Sequence, residues 1–168
     1  MNKVSWILIA TLVTMGLPGA ASAQEEQESA NPLQGVWSVT AMTPDDGAMI
    51  EPSQPGLFIF TDGYYSAVYS LGADPRPLSA AAFDPTSEEM IAQHETIIVN
   101  TGTYETDGST ITFRPVVAKS PEFIGGHSKM DFQIDEGVLT LTVQSVLSAD
   151  GEPAPDAPGS SMTLRRLE

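Results

Sequence analysis

Apolar and polar residues alternate along most of the chain after residue 32, and turn-forming residues interrupt this alternation at regular intervals. A period of two is typical of strands that bury one face and expose the other. Turn signals spaced about 8–12 residues apart favour an all-β sandwich or barrel over alternating strands and helices. Three predicted hairpins support this interpretation, because each sorts its residues into an apolar and a polar face.

The first hairpin turns at Asp62-Gly63, between GLFIFT and YYSAVYS. An Asp-Gly pair tolerates the positive φ that a two-residue type I′ turn requires. Such a turn sets Phe60 opposite Tyr65, and opposed residues share one face of a sheet. The predicted inner face is therefore Phe58, Phe60, Tyr65, Ala67 and Tyr69.

The second hairpin turns at Asp107-Gly108, which sets Tyr104 opposite Ile111. Asn100 is a polar residue among apolar neighbours on its inner face. A buried amide needs a hydrogen-bond partner, so Asn100 either orients a ligand or fixes neighbouring backbone. The full inner face is predicted as Ile98, Asn100, Gly102, Tyr104, Ile111 and Phe113.

The third hairpin turns at Glu136-Gly137 and sets Ile134 opposite Leu139. A slip of one residue would exchange the inner and outer sets completely, so the apolar pattern specifies the register strongly. The predicted inner face is Ser128, Met130, Phe132, Ile134, Leu139, Leu141 and Val143.

Two further strands, at Gly35–Met42 and Met162–Leu167, bring the predicted total to eight. Polar outer and apolar inner faces around an antiparallel sheet favour an eight-stranded up-and-down barrel, because closure removes the exposed edges. A two-sheet sandwich is the alternative. In a closed barrel the first and last strands are neighbours, so we expect the Arg166 guanidinium to stack on the Trp37 indole and close one end.

One helix is predicted between strands three and four. Thr86 and Glu89 form a capping box, which marks a helix start. Met90, Ile91 and His94 then share a helical face, and we expect this helix to cover the barrel mouth as a lid. The proline- and glycine-rich segment 148–160 predicts a long exposed loop.

The N-terminus predicts export to the periplasm or the medium. Lys3 precedes an apolar run too short to span a bilayer, and Ala21-Ser22-Ala23 offers a cleavage site, as in a secretory signal peptide. We predict a signal peptide at 1–23, a flexible acidic leader at 24–32 and a barrel domain at 33–168. An uncleaved membrane anchor is the alternative for the first segment.

The formal net charge of −15 restricts the partners that this chain is expected to bind. Such a charge repels nucleic-acid phosphates and anionic lipid surfaces. We therefore expect neither nucleic-acid binding nor membrane insertion after cleavage. Solubility outside the cytoplasm explains the charge, with an acidic docking surface as the alternative. The chain has no cysteine, so its stability depends on packing and sheet hydrogen bonds.

The sequence contains no recognisable catalytic motif: it has no G-x-S-x-G, no H-E-x-x-H and no glycine-rich phosphate loop. We predict no catalytic residue, no metal site and no cofactor. Acid–base chemistry in the barrel would depend on His94 or Glu95 of the predicted lid.

Four motifs occur in order along the chain: Gly35-x-Trp37 with Arg166 near the C-terminus, then GLFIFTDGYYSA, IIVNTGTYE and SPEFIGG. Together they resemble the bacterial lipocalin-like domain family, a calycin-type β-barrel, over Leu33 to Glu168. The chain departs from the family at Asn100, where an aromatic residue is common, and at Arg114, where a histidine is frequent. The resemblance implies a barrel for small, mostly apolar ligands.

We therefore expect a binding protein for a small hydrophobic molecule held beneath the helix. A lumenal isomerase or cyclase and a solid-core structural or interaction barrel are the alternatives. Protein partners and oligomeric state are left open. The predicted ligand contacts are Phe58, Phe60, Tyr65, Tyr69, Asn100, Tyr104 and Phe113.

Overall fold

The computed structural model describes residues 31–168 except Asp46 and Asp156. The predicted signal peptide and most of the predicted leader lie outside these residues. Within them, α1 (Ser87–Glu95) lies between the third and fourth strands, and a short 3-10 helix at Pro121–Phe123 precedes the sixth. The strands are β1 (Gly35–Thr43), β2 (Gly56–Phe60), β3 (Tyr64–Ser70), β4 (Ile97–Asp107), β5 (Thr110–Ala118), β6 (His127–Asp135), β7 (Val138–Leu147) and β8 (Ser161–Arg166).

The eight strands form a closed antiparallel barrel. Each strand pairs with the next in sequence, and β8 pairs with β1, where Trp37 lies opposite Arg166. Closure leaves no unpaired sheet edge. The predicted eight-stranded up-and-down barrel with one helix between β3 and β4 is confirmed, and the two-sheet sandwich is wrong.

The barrel has two different ends. We call the end with the β2–β3, β4–β5 and β6–β7 turns the closed end, and the end with the four longer connections the open end. Inward positions alternate with outward ones, as along β2, where Phe58 and Phe60 are buried and Ile59 is not. The most deeply buried large side chains are Leu33, Trp37, Phe60, Ile111, Leu139, Leu141 and Leu164.

The first and third hairpins have the predicted registers, with Phe60 opposite Tyr65 and Ile134 opposite Leu139. The predicted type I′ conformation of the first turn is wrong, because Gly63 has a positive φ and Asp62 does not. This turn also contacts β4, because the Gly63 carbonyl accepts a hydrogen bond from the Tyr104 backbone N–H at 3.0 Å.

The second hairpin differs from its predicted register by two residues. Tyr104 lies opposite Phe113 rather than Ile111, and Asp107 pairs with Thr110. Gly108, with φ +60°, takes the first turn position, where a type II′ turn favours glycine. Because side chains alternate with a period of two, a shift of two residues leaves every inner-face assignment unchanged.

The α1 capping box is confirmed. The Thr86 hydroxyl accepts the Glu89 N–H at 3.3 Å, and the Glu89 carboxylate accepts the Thr86 N–H at 2.8 Å. The predicted lid position is wrong, since no α1 residue is buried and Met90 and Ile91 are 51% and 58% exposed. None of the described helices is long and apolar enough to cross a membrane.

Polar contacts explain where α1 lies. The Arg76 guanidinium donates to the Gln93 carbonyl at 3.0 Å and to the Thr96 hydroxyl at 3.4 Å. The Lys119 ammonium donates to the His94 carbonyl at 3.1 Å. The C-terminal end of α1 is therefore held by basic side chains, and its apolar residues are left facing solvent.

Candidate functional site: two cavities above a sealed barrel end

The closed end is sealed around Trp37, which is fully buried. The Arg166 guanidinium carbon lies 4.1 Å from the centroid of the indole ring, so the two predicted closure residues are in contact. The Trp37 indole N–H donates to the Leu33 carbonyl at 2.7 Å. Arg166 also donates to the carbonyls of Gln34, at 2.7 Å, and of Pro32.

Tyr104 and Phe60 belong to this seal. The Tyr104 hydroxyl donates to the Thr61 carbonyl and accepts from the Asn31 amide, both at 2.9 Å. Burial raises the pKa of Tyr104 above its ordinary value, and its ring packs edge-on against Phe60 with centroids 5.3 Å apart. Asn31 and Pro32, the last two residues of the predicted flexible leader, are therefore bound to the barrel end.

Above the seal lies a small cavity of about 50 Å³, which we call the inner cavity. Its rings pack against one another: Tyr65 meets Phe113 at 4.6 Å between centroids, and Phe58 stacks on Tyr69 at 5.8 Å. Ligand pockets usually measure about 300–1,000 Å³, so the inner cavity is too small for one. It is lined by Phe58, Tyr65, Ala67, Tyr69, Ile98, Asn100, Phe113, Ser128 and Met130.

The Asn100 amide has a protein partner. The Tyr65 hydroxyl donates to its side-chain oxygen at 2.5 Å. Burial, reinforced by the nearby Tyr69 hydroxyl, raises the pKa of Tyr65 well above its ordinary value, so this hydroxyl keeps its proton at neutral pH. Of the two predicted roles of Asn100, this contact supports the structural one, because it joins the neighbouring strands β3 and β4 on their inner face.

A larger cavity of about 320 Å³ opens at the open end, and we call it the mouth cavity. Among the predicted ligand contacts, Tyr69 alone lines it. The sequence signal that could have pointed to this cavity is the pair of inward methionines Met130 and Met162, since methionine adapts to varied ligands. Met42 lies on the same side only because of the bulge between Val39 and Ala41. The lining residues are Met42, Thr43, Pro44, Ile50, Tyr69, Leu71, Gly72, Met130, Leu141, Val143, Ser160, Ser161 and Met162.

Tyr69 and Met130 line both cavities and separate them. Burial raises the pKa of Tyr69 to about 12, so its hydroxyl is a neutral donor at physiological pH. The described part of the chain gives this hydroxyl no hydrogen-bond partner. It can therefore donate to an acceptor group on a bound molecule.

Neither cavity is lined by a charged side chain of the described residues. His94 and Glu95 lie exposed on α1 and line neither cavity. Residues 31–168, apart from the two that are not described, contain no group of three or more side chains placed to hold a metal ion. The mouth cavity can therefore hold an apolar molecule beside the hydroxyl-bearing side chains of Tyr69, Thr43 and Ser161. The hydroxyl of the fourth such residue, Ser160, donates to the Ala157 carbonyl at 2.6 Å.

No protein family and no curated protein matches the chain. Two solved structures are similar in shape: a lipocalin-like protein from Bacteroides uniformis, with 15% identity and a TM-score of 0.47, and an uncharacterized protein from Bacteroides eggerthii, with 11% identity and a TM-score of 0.44. Each comparison covers 80% of this chain and 98% of the other. The strand order itself establishes an eight-stranded up-and-down antiparallel barrel, the type of barrel that lipocalins share with other small barrels.

Proposed function

We propose that this protein is an exported barrel that binds one small, uncharged hydrophobic molecule in the mouth cavity. The observation that carries the proposal is an apolar cavity of about 320 Å³ at the open end, above a lumen whose inner cavity measures only about 50 Å³. This volume lies at the lower end of the range of small-molecule sites. The ligand therefore lies above the aromatic cluster rather than among its rings.

The lining determines the chemical class of the ligand. An apolar molecule gains roughly 25 cal/mol for each Å² that it buries, so about 200 Å² contributes about 5 kcal/mol before the cost of immobilisation. A charged molecule would lose its hydration without meeting an opposite charge. The Tyr69 hydroxyl adds one donor, which favours a ligand with a carbonyl or ether oxygen near its buried end.

The two alternative functions have less support in the geometry. A solid barrel describes the closed end, where Trp37, Phe60 and Tyr104 fill the space, but leaves the mouth cavity unexplained. A lumenal enzyme needs an acid or base beside its substrate. The titratable side chain that lines the mouth cavity is Tyr69, whose raised pKa makes it a poor base at neutral pH.

Export is the second part of the proposal, and it is supported by the sequence of residues 1–23. We expect N-terminal sequencing of the protein from the periplasm or medium to begin at Gln24. An intact Met1 in a membrane fraction would instead show that the segment is an anchor.

A matched pair of variants tests the binding site. Val143→Phe places a ring in the mouth cavity, whereas Leu57→Phe makes the same kind of change on the exposed outer face of β2. We expect an environment-sensitive apolar dye to bind wild type and Leu57→Phe alike, and Val143→Phe at least about tenfold more weakly. Absence of saturable dye binding to folded protein, or equal binding by all three proteins, would contradict the proposal.

A further inference from the structure

A third cavity, of about 800 Å³, lies between the 3-10 helix at Pro121–Phe123 and the β7–β8 loop. We call it the rim groove. It is at the open end of the barrel, yet it shares no lining residue with the inner or the mouth cavity. The hydrophobic ligand proposed for the mouth cavity therefore does not account for the rim groove.

Backbone hydrogen bonds hold both walls of the rim groove. In the first wall, the Ile124 N–H donates to the Pro121 carbonyl at 3.0 Å. In the second wall, the Ala154 N–H donates to the Val146 carbonyl at 2.9 Å. Gly126 joins the walls, since a Cβ at this position would lie 2.1 Å from the Leu147 carbonyl oxygen.

Several residues of the apolar lining have little conformational freedom, and they lie beside the larger side chains of Phe123 and Ile124. Pro121, Pro153, Pro155 and Ala154 contribute to the walls, and proline and alanine side chains lose almost no rotamer entropy when a ligand covers them. Val146, which is buried, adds a further apolar surface. Such walls are preorganised for an apolar group.

The charges of the rim groove all have the same sign. Glu122, Asp150 and Glu152 line it, and no lysine, arginine or histidine among the described residues does. Lys119, which directly precedes the groove in sequence, donates to the His94 carbonyl. The ion pair found among the described residues joins Arg114 to Glu105, so none of the three carboxylates has a basic partner there.

We infer that the rim groove is a second binding site, and that its ligand is a small amphiphilic cation with an apolar body and one protonated amine. The apolar walls match the body, and the carboxylates match the ammonium group. The net charge of −15 raises the local concentration of such cations. The two sites thus divide ligands by charge: neutral molecules enter the mouth cavity and cationic ones the rim groove.

Three probes that share one apolar body test the inference: phenylbutylamine, phenylbutanol and phenylbutyrate. Each is titrated into full-length mature protein while the methyl resonances of Ile124 and Val146 are followed by NMR. We expect the amine to shift these resonances with a Kd at least about fivefold lower than that of the alcohol. The butyrate should bind more weakly than both, and raising the salt from about 0.15 to 1 M should reduce the preference for the amine.

Matched charge-removal variants locate the effect. The triple variant Glu122→Gln/Asp150→Asn/Glu152→Gln should bring the amine to the affinity of the alcohol. The control variant Glu51→Gln/Glu88→Gln/Glu95→Gln removes the same charge from exposed positions outside the groove and should keep most of the preference. Equal binding of amine and alcohol by wild type, equal losses in the two variants, or amine-induced shifts confined to the mouth cavity would each overturn the inference. These outcomes leave the proposed mouth-cavity function unaffected.

Discussion

The two ends of this barrel are built from the same eight strands, but their interiors differ. At the closed end, short turns connect the strands. Trp37, Arg166 and Tyr104 fill the space between them and form hydrogen bonds and a stacking contact there. At the open end, longer connections leave the mouth cavity between strand ends lined by Met42, Met130 and Met162.

This difference indicates a division of roles along the barrel axis. The closed end contains buried rings and satisfied hydrogen bonds, which are features that stabilise a fold. The open end contains adaptable methionines and the Tyr69 hydroxyl, which are features that suit a variable ligand. We therefore expect substitutions at the closed end to change stability and substitutions at the open end to change binding.

The largest effect is expected at the centre of the seal. Trp37→Ala should lower the free energy of unfolding by about 3–5 kcal/mol, because it removes a fully buried indole and leaves a cavity. Urea denaturation measures this, with Leu57→Ala on the exposed outer face as the control. A loss for Trp37→Ala no greater than that of the control would show that the seal does not carry the stability of the barrel.

The contact between Trp37 and Arg166 should appear as non-additivity. A double-mutant cycle with Trp37→Ala and Arg166→Ala should give a coupling energy of about 0.5–2 kcal/mol, the range of a cation–π contact. If the destabilisations of the single variants simply add, the stacking contributes nothing and the seal depends on packing alone.

Two tyrosine variants compare the ends directly. Tyr104→Phe removes a hydroxyl that donates to the Thr61 carbonyl and accepts from the Asn31 amide, and both groups lose this partner. The free energy of unfolding should therefore fall by about 1–3 kcal/mol. Tyr69→Phe removes a hydroxyl with no described partner, so stability should change by less than about 0.5 kcal/mol. Instead, Tyr69→Phe should weaken binding of a carbonyl-bearing apolar ligand about tenfold. A result in which Tyr69→Phe destabilises more than Tyr104→Phe would reverse the comparison.

The smallest effect is expected in α1, which packs on neither end. Hydrogen bonds from the Ala80 and Thr86 N–H groups hold the pKa of Glu89 below its ordinary value. The ionised carboxylate therefore stabilises the folded helix above the unfolded-state pKa, and this contribution is lost as the pH falls through the lowered pKa of the folded state. The protection factors of the α1 amides, which correct for the intrinsic pH dependence of exchange, should fall on acidification in wild type and in Glu88→Gln. In Glu89→Gln this pH dependence should disappear, and its persistence there would assign it to another group.

The sequence predicted the inner faces better than the contents of the barrel. Face assignments depend on a period of two, so Tyr104 and Phe113 were placed inward correctly although their hairpin register was off by two residues. The mouth cavity depends on how far Ile50 and Leu71, in the β1–β2 and β3–β4 connections, extend over the strand ends, and no local pattern encodes that distance.

The position of α1 could not be predicted from the sequence for a related reason. Met90 and Ile91 suggested a helix packed on the barrel mouth, but side-chain contacts from Arg76 and Lys119 hold its other end. Such tertiary hydrogen bonds join residues whose relation is invisible in a one-dimensional pattern. Asn100 is similar, since its partner Tyr65 could be identified only once the β3–β4 register was known.

The most direct test of the central claim is to titrate decanol, a neutral apolar molecule with one hydroxyl, into protein labelled at its methionine methyl groups. We predict saturable NMR shifts at Met42, Met130 and Met162, which line the mouth cavity, and none at Met90 on exposed α1. The Trp37 indole resonance at the closed end should also stay in place. Folded protein in which the three mouth methionines do not respond, or in which Trp37 shifts with them, would contradict an open binding end above a sealed one.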